Sequence, residues 1–376
     1  MTEDRRQRTD GSGESWLITG GCGFIGRAIV RRILQEPSGD TIRVLDNLSV
    51  GSIEDLEKIA DGSLQLTDGQ KEEGSIKQGA ERKKIRRSEG EEERGNFDIR
   101  GSNSNVQVIV GDITDPDVCL TCSKGMDVIV HLAANTGVGP SVDDPVSDMK
   151  NNVAGTLNML EAARKSGVKR FVFASSGAPV GEVEPPIHEN LAPRPVSPYG
   201  ASKLAGEGYC SAYFGSFGIE TVVLRFGNVY GPGSSHKNSV VAKFIKHILA
   251  EERLPIYGDG SQTRDFIYIA DIVQAILLCS EVQNIGGEVF QIATHREHTV
   301  EEVAEALNRL AEKHLGRRSE VVYEQARTGD VKRNYSDISK ARRMLGFEPK
   351  WQLEKGLEET FLWYLGRMVH SAKSMA

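Results

Sequence analysis

Short apolar runs alternate along this chain with stretches of helical period, and that alternation sets the expected architecture. Residues 16–19 are apolar and break into Gly20-Gly21-Cys22-Gly23-Phe24-Ile25-Gly26, after which apolar positions recur at helical spacing to about Gln35. Residues 41–45 read as a second strand that ends in Asp46. Further strands are expected at 106–110, 127–132, 170–175 and 220–225, with helices at about 146–166 and 199–216. Repetition of strand, helix, strand predicts an α/β chain with a doubly wound parallel sheet covered on both faces.

Two regions depart from the pattern. Residues 61–105 are rich in Gly, Ser, Glu, Lys and Arg with few apolar positions, and read as a disordered insert. The run Arg82-Lys83-Lys84-Ile85-Arg86-Arg87 within it is flanked by glutamates that nearly cancel its charge, so a solvated linker is the better reading than a nucleic-acid patch. After Asn228 the alternation loosens into Gly- and Pro-bearing loops, helices at about 239–251 and 270–280, and short elements. The expected division is a disordered tail at 1–14, a dinucleotide-type domain at 15–228 to which 262–284 returns, and a smaller α/β lobe at 229–376 that caps the strand ends and binds substrate.

Composition narrows the partners. A net charge of −7 with scattered basic residues gives no argument for nucleic acid or an anionic membrane. No run approaches the roughly 20 apolar residues of a membrane span, and the polar start lacks a signal-peptide core, so a cytoplasmic protein is expected. Five cysteines without an export signal suggest reduced thiols. Cys119 and Cys122 read as helix residues after Pro116, because no second pair or histidine completes a zinc set; no metal is expected.

Two constellations carry chemistry. The glycine turn has the form a pyrophosphate needs, with bend, close backbone approach and helix packing each demanding glycine and helix-end amides facing the anion. Asp46, twenty residues beyond Gly26, ends the next strand where a carboxylate accepts from a ribose hydroxyl and repels a 2′-phosphate, which favours NAD over NADP. The second is Ser197-Pro198-Tyr199-Gly200-Ala201-Ser202-Lys203, where Pro198 starts a helix and sets Tyr199 and Lys203 one turn apart. An ammonium beside a phenol favours the phenolate and makes a general base; one such pair alone arises readily by chance in a chain with nine tyrosines. Ser175 and Ser176 end a strand twenty-four and twenty-three residues before Tyr199, and either can present a hydroxyl to the substrate oxygen. His131 ends a strand in an apolar setting and reads as structural.

With these stretches in place the chain resembles the extended short-chain dehydrogenase/reductase family, and within it the UDP-glucose 4-epimerase group of nucleotide-sugar enzymes. The resemblance is carried by residues 20–26, Asp46-Asn47-Leu48, Gly111-Asp112-Ile113, His131-Leu132-Ala133-Ala134, residues 151–156, Ser175-Ser176, Tyr199 to Lys203, residues 224–231 and residues 264–268. It implies a Rossmann-type sheet and NAD held by Gly20, Gly23, Phe24, Ile25, Gly26, Asp46, Asn47, Asp112, Ile113, Leu132, Ala133, Ala134, Asn152, Tyr199 and Lys203. It implies a UDP-sugar held by Thr136, Ser175, Ser176, Asn228, Lys237, Ser239, Val240, Tyr257, Arg264, Arg327 and Asp330, with the two arginines clamping the diphosphate. Ser176, Tyr199 and Lys203 are the expected catalytic set, and helices 146–166 and 199–216 the expected homodimer pair.

Departures from the family pattern sharpen the expectation. Ser176 is followed by Gly177 and Ala178, where the family's dehydratases and decarboxylases carry acids, so epimerisation at C4 is expected over elimination. Val180 replaces an aromatic, and Asn334 stands where some epimerases carry a tyrosine that restricts the sugar pocket, so UDP-glucose, UDP-N-acetylglucosamine and UDP-glucuronate all stay open. Lys237 leans the choice slightly to the uronate. The alternatives are a decarboxylase or 4,6-dehydratase on the same scaffold and a non-catalytic NAD-binding scaffold.

Overall fold

A computed structural model describes residues 13–35, 39–57, 65–68, 96–101, 104–326 and 332–375. Strand β1 (Ser15–Thr19) leads through the glycine turn into α1 (Phe24–Leu34) and β2 (Thr41–Asp46), followed by the short α2 (Ile53–Glu57). Then come β3 (Gln65–Asp68), β4 (Asn96–Gly101), β5 (Ser104–Val110), α3 (Pro116–Ser123) and β6 (Val128–His131). Two short helices, α4 (Val138–Asp143) and α5 (Pro145–Met149), run into a π-helical turn, Lys150–Ala154, that opens α6 (Gly155–Ser166). Strand β7 (Arg170–Ser176), helix α7 (Pro198–Phe217) and β8 (Glu220–Phe226) complete the repeating part.

Seven strands lie parallel in the order β13 (Glu288–Ile292), β8, β7, β6, β1, β2, β5. The winding reverses between β1 and β6: α1 carries the chain outward to β2 and β5, and α3 brings it back to the other side of β1. Such a reversal opens a crevice at the carboxyl ends of the strands. The strands read as near-continuous apolar runs because both faces are covered. One face packs with α1 and α9 (Ile269–Glu281) in a core that runs on into the smaller lobe, and the other packs under α3, α6 and α7.

The smaller lobe pairs β9 (Asn228–Tyr230) with β12 (Phe266–Tyr268), β10 (Leu254–Tyr257) with β15 (Val321–Glu324), and β11 (Thr263–Arg264) with β14 (His298–Thr299). Around these pack α8 (Val240–Leu249), α10 (Val300–Leu315), α11 (Ser339–Leu345) and α12 (Leu353–Met375). Among the described residues no helix is long and apolar enough to cross a membrane.

The structure corrects three boundaries. The flanks of the stretch read as a disordered insert form strands: β4 pairs antiparallel with β5 and β3 with β4, setting Phe97 opposite Val108 and Leu66 opposite Ile99. The two-residue alternation in Asn96-Phe97-Asp98-Ile99 is a strand signal masked by its low-complexity neighbours. The return to the larger domain does not stop at 284 but continues through β13 to Ile292. The single helix expected at 146–166 is three consecutive segments. The tail at 1–12, the basic run at 82–87, Arg327 and Asp330 lie outside the described residues.

Candidate active site at the strand ends

Gly20 has φ 68°, and a Cβ there would stand 3.0 Å from the Ala133 amide nitrogen; at Gly26 it would stand 2.4 Å from the Gly20 carbonyl oxygen. Only glycine lets the turn close on itself and on the β6 loop. Gly23 donates its amide to the Gly20 carbonyl at 3.0 Å and precedes α1 without a side-chain cap, so the first-turn amides of Phe24, Ile25 and Gly26 face an anion's place unpaired within the helix. Asp46 is buried; its Oδ2 accepts from the Cys22 amide at 2.9 Å and its Oδ1 from Leu48 at 2.8 Å. Burial raises its pKa against those two bonds. Asn47 donates to Asp112 at 2.9 Å, and although burial opposes it, bonds from Thr114 and Asn47 hold the Asp112 carboxyl below its ordinary range. Ile113 is buried against Gly155 of α6, so its side chain serves packing rather than the cleft surface.

The loop after β6 is tied to the glycine turn through Thr19, whose Oγ1 accepts from the Leu132 and Ala133 amides at 3.2 and 3.1 Å. The same hydroxyl meets His131 Nδ1 at 2.8 Å, while His131 Nε2 meets Thr156 Oγ1 at 3.1 Å. Burial and the nearby Lys203 push His131 down to about 3, so it stays neutral and structural. Ala134 is half-buried and Thr136 exposed on this loop. Asn152, in the π-helical turn, is buried, and its amide binds Asn135 through both backbone groups, Asp148 at 2.9 Å and Ser202 at 3.1 Å. It braces the loop after β6.

Helix α7 begins as its sequence predicts, with Pro198 in the first turn and Ser197 Oγ accepting from the Gly200 amide at 3.1 Å. The Tyr199 phenol lies beside Ser176, whose hydroxyl acts to lower its pKa and whose Oγ accepts from the Ala178 amide at 3.2 Å. Lys203 lies one turn on, its Nζ donating to the Ala174 carbonyl at 2.8 Å and standing 6.0 Å from the Tyr199 ring centroid. The two serines part company. Strand alternation turns Ser175 to the α7 face, where it is buried with its Oγ donating to Glu207 at 2.5 Å, leaving Ser176 alone at the phenol. Electrostatics also differ from expectation. Burial, aided by Asp148, holds the Tyr199 phenol above its ordinary value despite the Ser176 hydroxyl, and burial pushes Lys203 down to about 8 although Asp148 and Glu207 oppose it.

On the substrate side, Asn228 is exposed at the start of β9 and donates its amide to the Asp265 carbonyl at 2.9 Å. Arg264 is half-buried in β11, with Nη1 on the Thr263 carbonyl at 2.8 Å. Tyr257 ends β10 with the Lys243 ammonium 5.1 Å from its ring centroid. Ser239 caps α8 by position, exposed, and Val240 follows half-buried. Lys237 sits 5.1 Å over the ring of Phe24, at the glycine turn, and burial lowers its pKa. Asn334 is half-buried beside Tyr335.

Reading for motifs missed four residues. Asp265 is fully buried and accepts from Thr294, His295 and Ser336, fixing two segments beside Arg264. Glu207 and Arg225 form a buried ion pair at 2.6 Å, and Asp148 is buried against the Tyr199–Lys203 pair. The spacing Tyr199, Lys203, Glu207 was the available signal for one of them, since all three fall on one helical face. A cavity of about 1130 Å³ lies elsewhere, between α1, α9 and α12, and neither Ser176, Tyr199 nor Lys203 lines it.

The profile of the NAD dependent epimerase/dehydratase family matches residues 16–293. A UDP-glucose 4-epimerase of Mycolicibacterium smegmatis is 31% identical over 349 residues, 92% of this chain and 96% of its own. Among solved structures, a UDP-N-acetylglucosamine 4-epimerase from Methanobrevibacter ruminantium in complex with UDP-N-acetylmuramic acid matches with a TM-score of 0.77 at 28% identity, covering 95% of this chain and 99% of the other. A UDP-glucuronic acid 4-epimerase from Bacillus cereus, solved with UDP-glucuronic acid and NAD, matches at 0.75 and 28% identity over 94% of this chain and 99% of its own. A glycine turn with no room for a Cβ, open first-turn amides and the Asp46 carboxylate at the neighbouring strand end are the donor set an adenine dinucleotide requires. The chain belongs to the NAD-dependent epimerase/dehydratase family of extended short-chain dehydrogenase/reductases, and NAD is its cofactor.

Proposed function

We propose that this chain is a UDP-sugar 4-epimerase. The observation that carries the reading is the Tyr199 phenol beside the Ser176 hydroxyl, which acts to lower its pKa, with Lys203 one turn away and no acid in Gly177-Ala178 just beyond the strand end. Tyr199 takes the proton from the C4 hydroxyl and later returns it, and Ser176 holds the reacting oxygen. When bound, NAD supplies a hydride acceptor and donor together with a cationic ring. The Lys203 ammonium stabilises the phenolate that accepts this proton, and Tyr199 holds the proton as a phenol while the 4-keto sugar turns in the pocket. Asn228, Arg264 and Arg327 hold the diphosphate that tethers the sugar through the turn. No acid stands where a dehydratase needs one to expel water, so the 4-keto sugar is returned as an alcohol.

The substrate class is a UDP-hexose. The relatives named above act on three different sugars, and Lys237, packed on Phe24 at the glycine turn, is as suited to a phosphate as to a uronate, so the lean toward UDP-glucuronate weakens. We further propose a cytoplasmic homodimer through α5, α6 and α7. The test is incubation of the purified protein with UDP-glucose, UDP-N-acetylglucosamine and UDP-glucuronate, followed by NMR of the sugar protons and mass spectrometry. A C4 epimer of unchanged mass is expected; loss of water or carbon dioxide would move the assignment to a dehydratase or decarboxylase.

A further inference from the structure

The last three residues of β7 are fastened to successive turns of α7. Ser176 stands beside the Tyr199 phenol, the Ala174 carbonyl accepts from Lys203 Nζ at 2.8 Å, and Ser175 Oγ donates to Glu207 at 2.5 Å. Tyr199, Lys203 and Glu207 recur every fourth residue, so one helical face meets one strand end. Arg225 is the register partner of Ser175 in β8, and its guanidinium donates to both Glu207 oxygens, Nε at 2.9 Å and Nη2 at 2.6 Å. Ser175, Glu207 and Arg225 are 4%, 5% and 3% exposed, so the ion pair is fully desolvated. Stability does not account for it, because a packed apolar pair serves a core equally well or better. Its place does: it lies one turn beyond the lysine of the proton-transfer set.

We propose that Glu207, fixed by Arg225 and Ser175, is a positioning residue of the reaction: it locks the strand end to α7 and supplies the buried negative charge that keeps Lys203 an ammonium. This rests on the reading of Tyr199 and Lys203 given above. The groups facing Lys203 are Asp148 from α5, Glu207 and the thiol of Cys210 from its own helix, neutral His131 from β6, the Phe173 ring of β7 at 4.9 Å, and Arg225 of β8 behind Glu207. Asp148 gives one oxygen to Asn152, and its other oxygen is buried without a hydrogen-bond partner. Burial drives Lys203 toward neutrality, and Asp148 and Glu207 are the charges that oppose it. Removing the charge of Glu207 leaves Arg225 uncompensated and tips the lysine toward its free base.

The test uses NAD-loaded protein. Glu207→Gln keeps the shape and one accepting oxygen for Ser175 and Arg225 Nε but drops the charge and the acceptor for Arg225 Nη2; we expect its alkaline limb of kcat to move down by about one pH unit and kcat at pH 8 to fall about fivefold, with KM little changed. Ser175→Ala removes the clamp alone and should lower kcat without moving the limb. A second readout needs no sugar: in protein labelled with ¹⁵N-lysine, the Lys203 signal, identified by its loss in Lys203→Met, should titrate at lower pH in Glu207→Gln than in wild type. If Glu207→Gln does not fold, the apolar double variant Glu207→Leu/Arg225→Met carries the expectation in the same direction with a smaller shift, because the Arg225 charge leaves with that of Glu207. A folded variant whose Lys203 titration and kcat limb both match wild type overturns the inference and leaves Glu207 a structural residue. A wild-type protein that turns over no nucleotide sugar overturns the functional reading instead, while the Lys203 titration still decides the role of Glu207.

Discussion

Tyr199 and Lys203 face opposite problems in the same buried place. The phenol must ionise where burial favours its neutral form, and the lysine must stay charged where burial pushes it to about 8. Tyr199→Phe should therefore bind NAD and melt close to wild type while losing roughly 10²–10⁴-fold in turnover, read by NMR of the sugar protons; near-native rates would remove Tyr199 from the mechanism. For Lys203 the sign follows from its depressed value, from 10.5 to about 8. Below pH 8 the folded protein carries a buried charge, which costs stability; between about 8 and 10.5 the unfolded chain still holds a proton the folded one has released, so stability rises across that window. Lys203→Met should accordingly stabilise the protein at pH 7, by up to about 3 kcal/mol, and abolish activity. Urea unfolding at pH 7 and pH 10 checks this, and a variant less stable than wild type at pH 7 contradicts it.

At the scale of elements, the glycine turn and α7 are rigid for different reasons. The turn is rigid because nothing larger than hydrogen fits: a Gly26 Cβ would stand 2.4 Å from the Gly20 carbonyl and 2.5 Å from Gly21 Cα, both backbone atoms that cannot yield. Gly26→Ala should cost about 1–3 kcal/mol and abolish NAD binding, measured by calorimetry and by the cofactor retained on purification; undiminished NAD affinity would deny the turn its role. These two elements were legible in the sequence because their signals are local, a glycine pattern between strand and helix and a proline before a polar cap. Glu207 and Arg225 were not, since a glutamate on a helix reads as solvated and an arginine in an apolar strand reads as an end. Only topology brings β8 beside β7 and turns both residues under α7. Asp265 escaped for the same reason, its donors Thr294 and Ser336 being distant in sequence. Strand β4 was hidden by composition, while the resemblance already singled out Ser176 and the register of the strand supplies the reason, turning Ser175 toward Glu207.

At the scale of the whole molecule, the reversal between β1 and β6 puts the glycine turn, the β6 loop and the β7 end around one crevice, so the groups proposed to be catalytic all lie on one chain. The covered faces of the sheet leave α4, α5 and α7 with an unusual outer surface: Val142 is 60% exposed, Val146 59%, Met149 48% and Tyr209 38%. Helices α4 and α5 both pack on α7, which makes these side chains neighbours on one side of the molecule. Apolar side chains grouped this way are the expected core of an interface between two copies, paired isologously. Sedimentation at micromolar concentration should give twice the mass of one chain, and Val146→Glu/Met149→Lys should give one. Because Tyr199 sits at the start of α7, the same variant should lose some activity through a looser α5–α7 contact, yet retain measurable epimerisation, since no catalytic group is borrowed from the second copy. A wild-type protein that sediments as a single chain rules the dimer out without touching the chemistry.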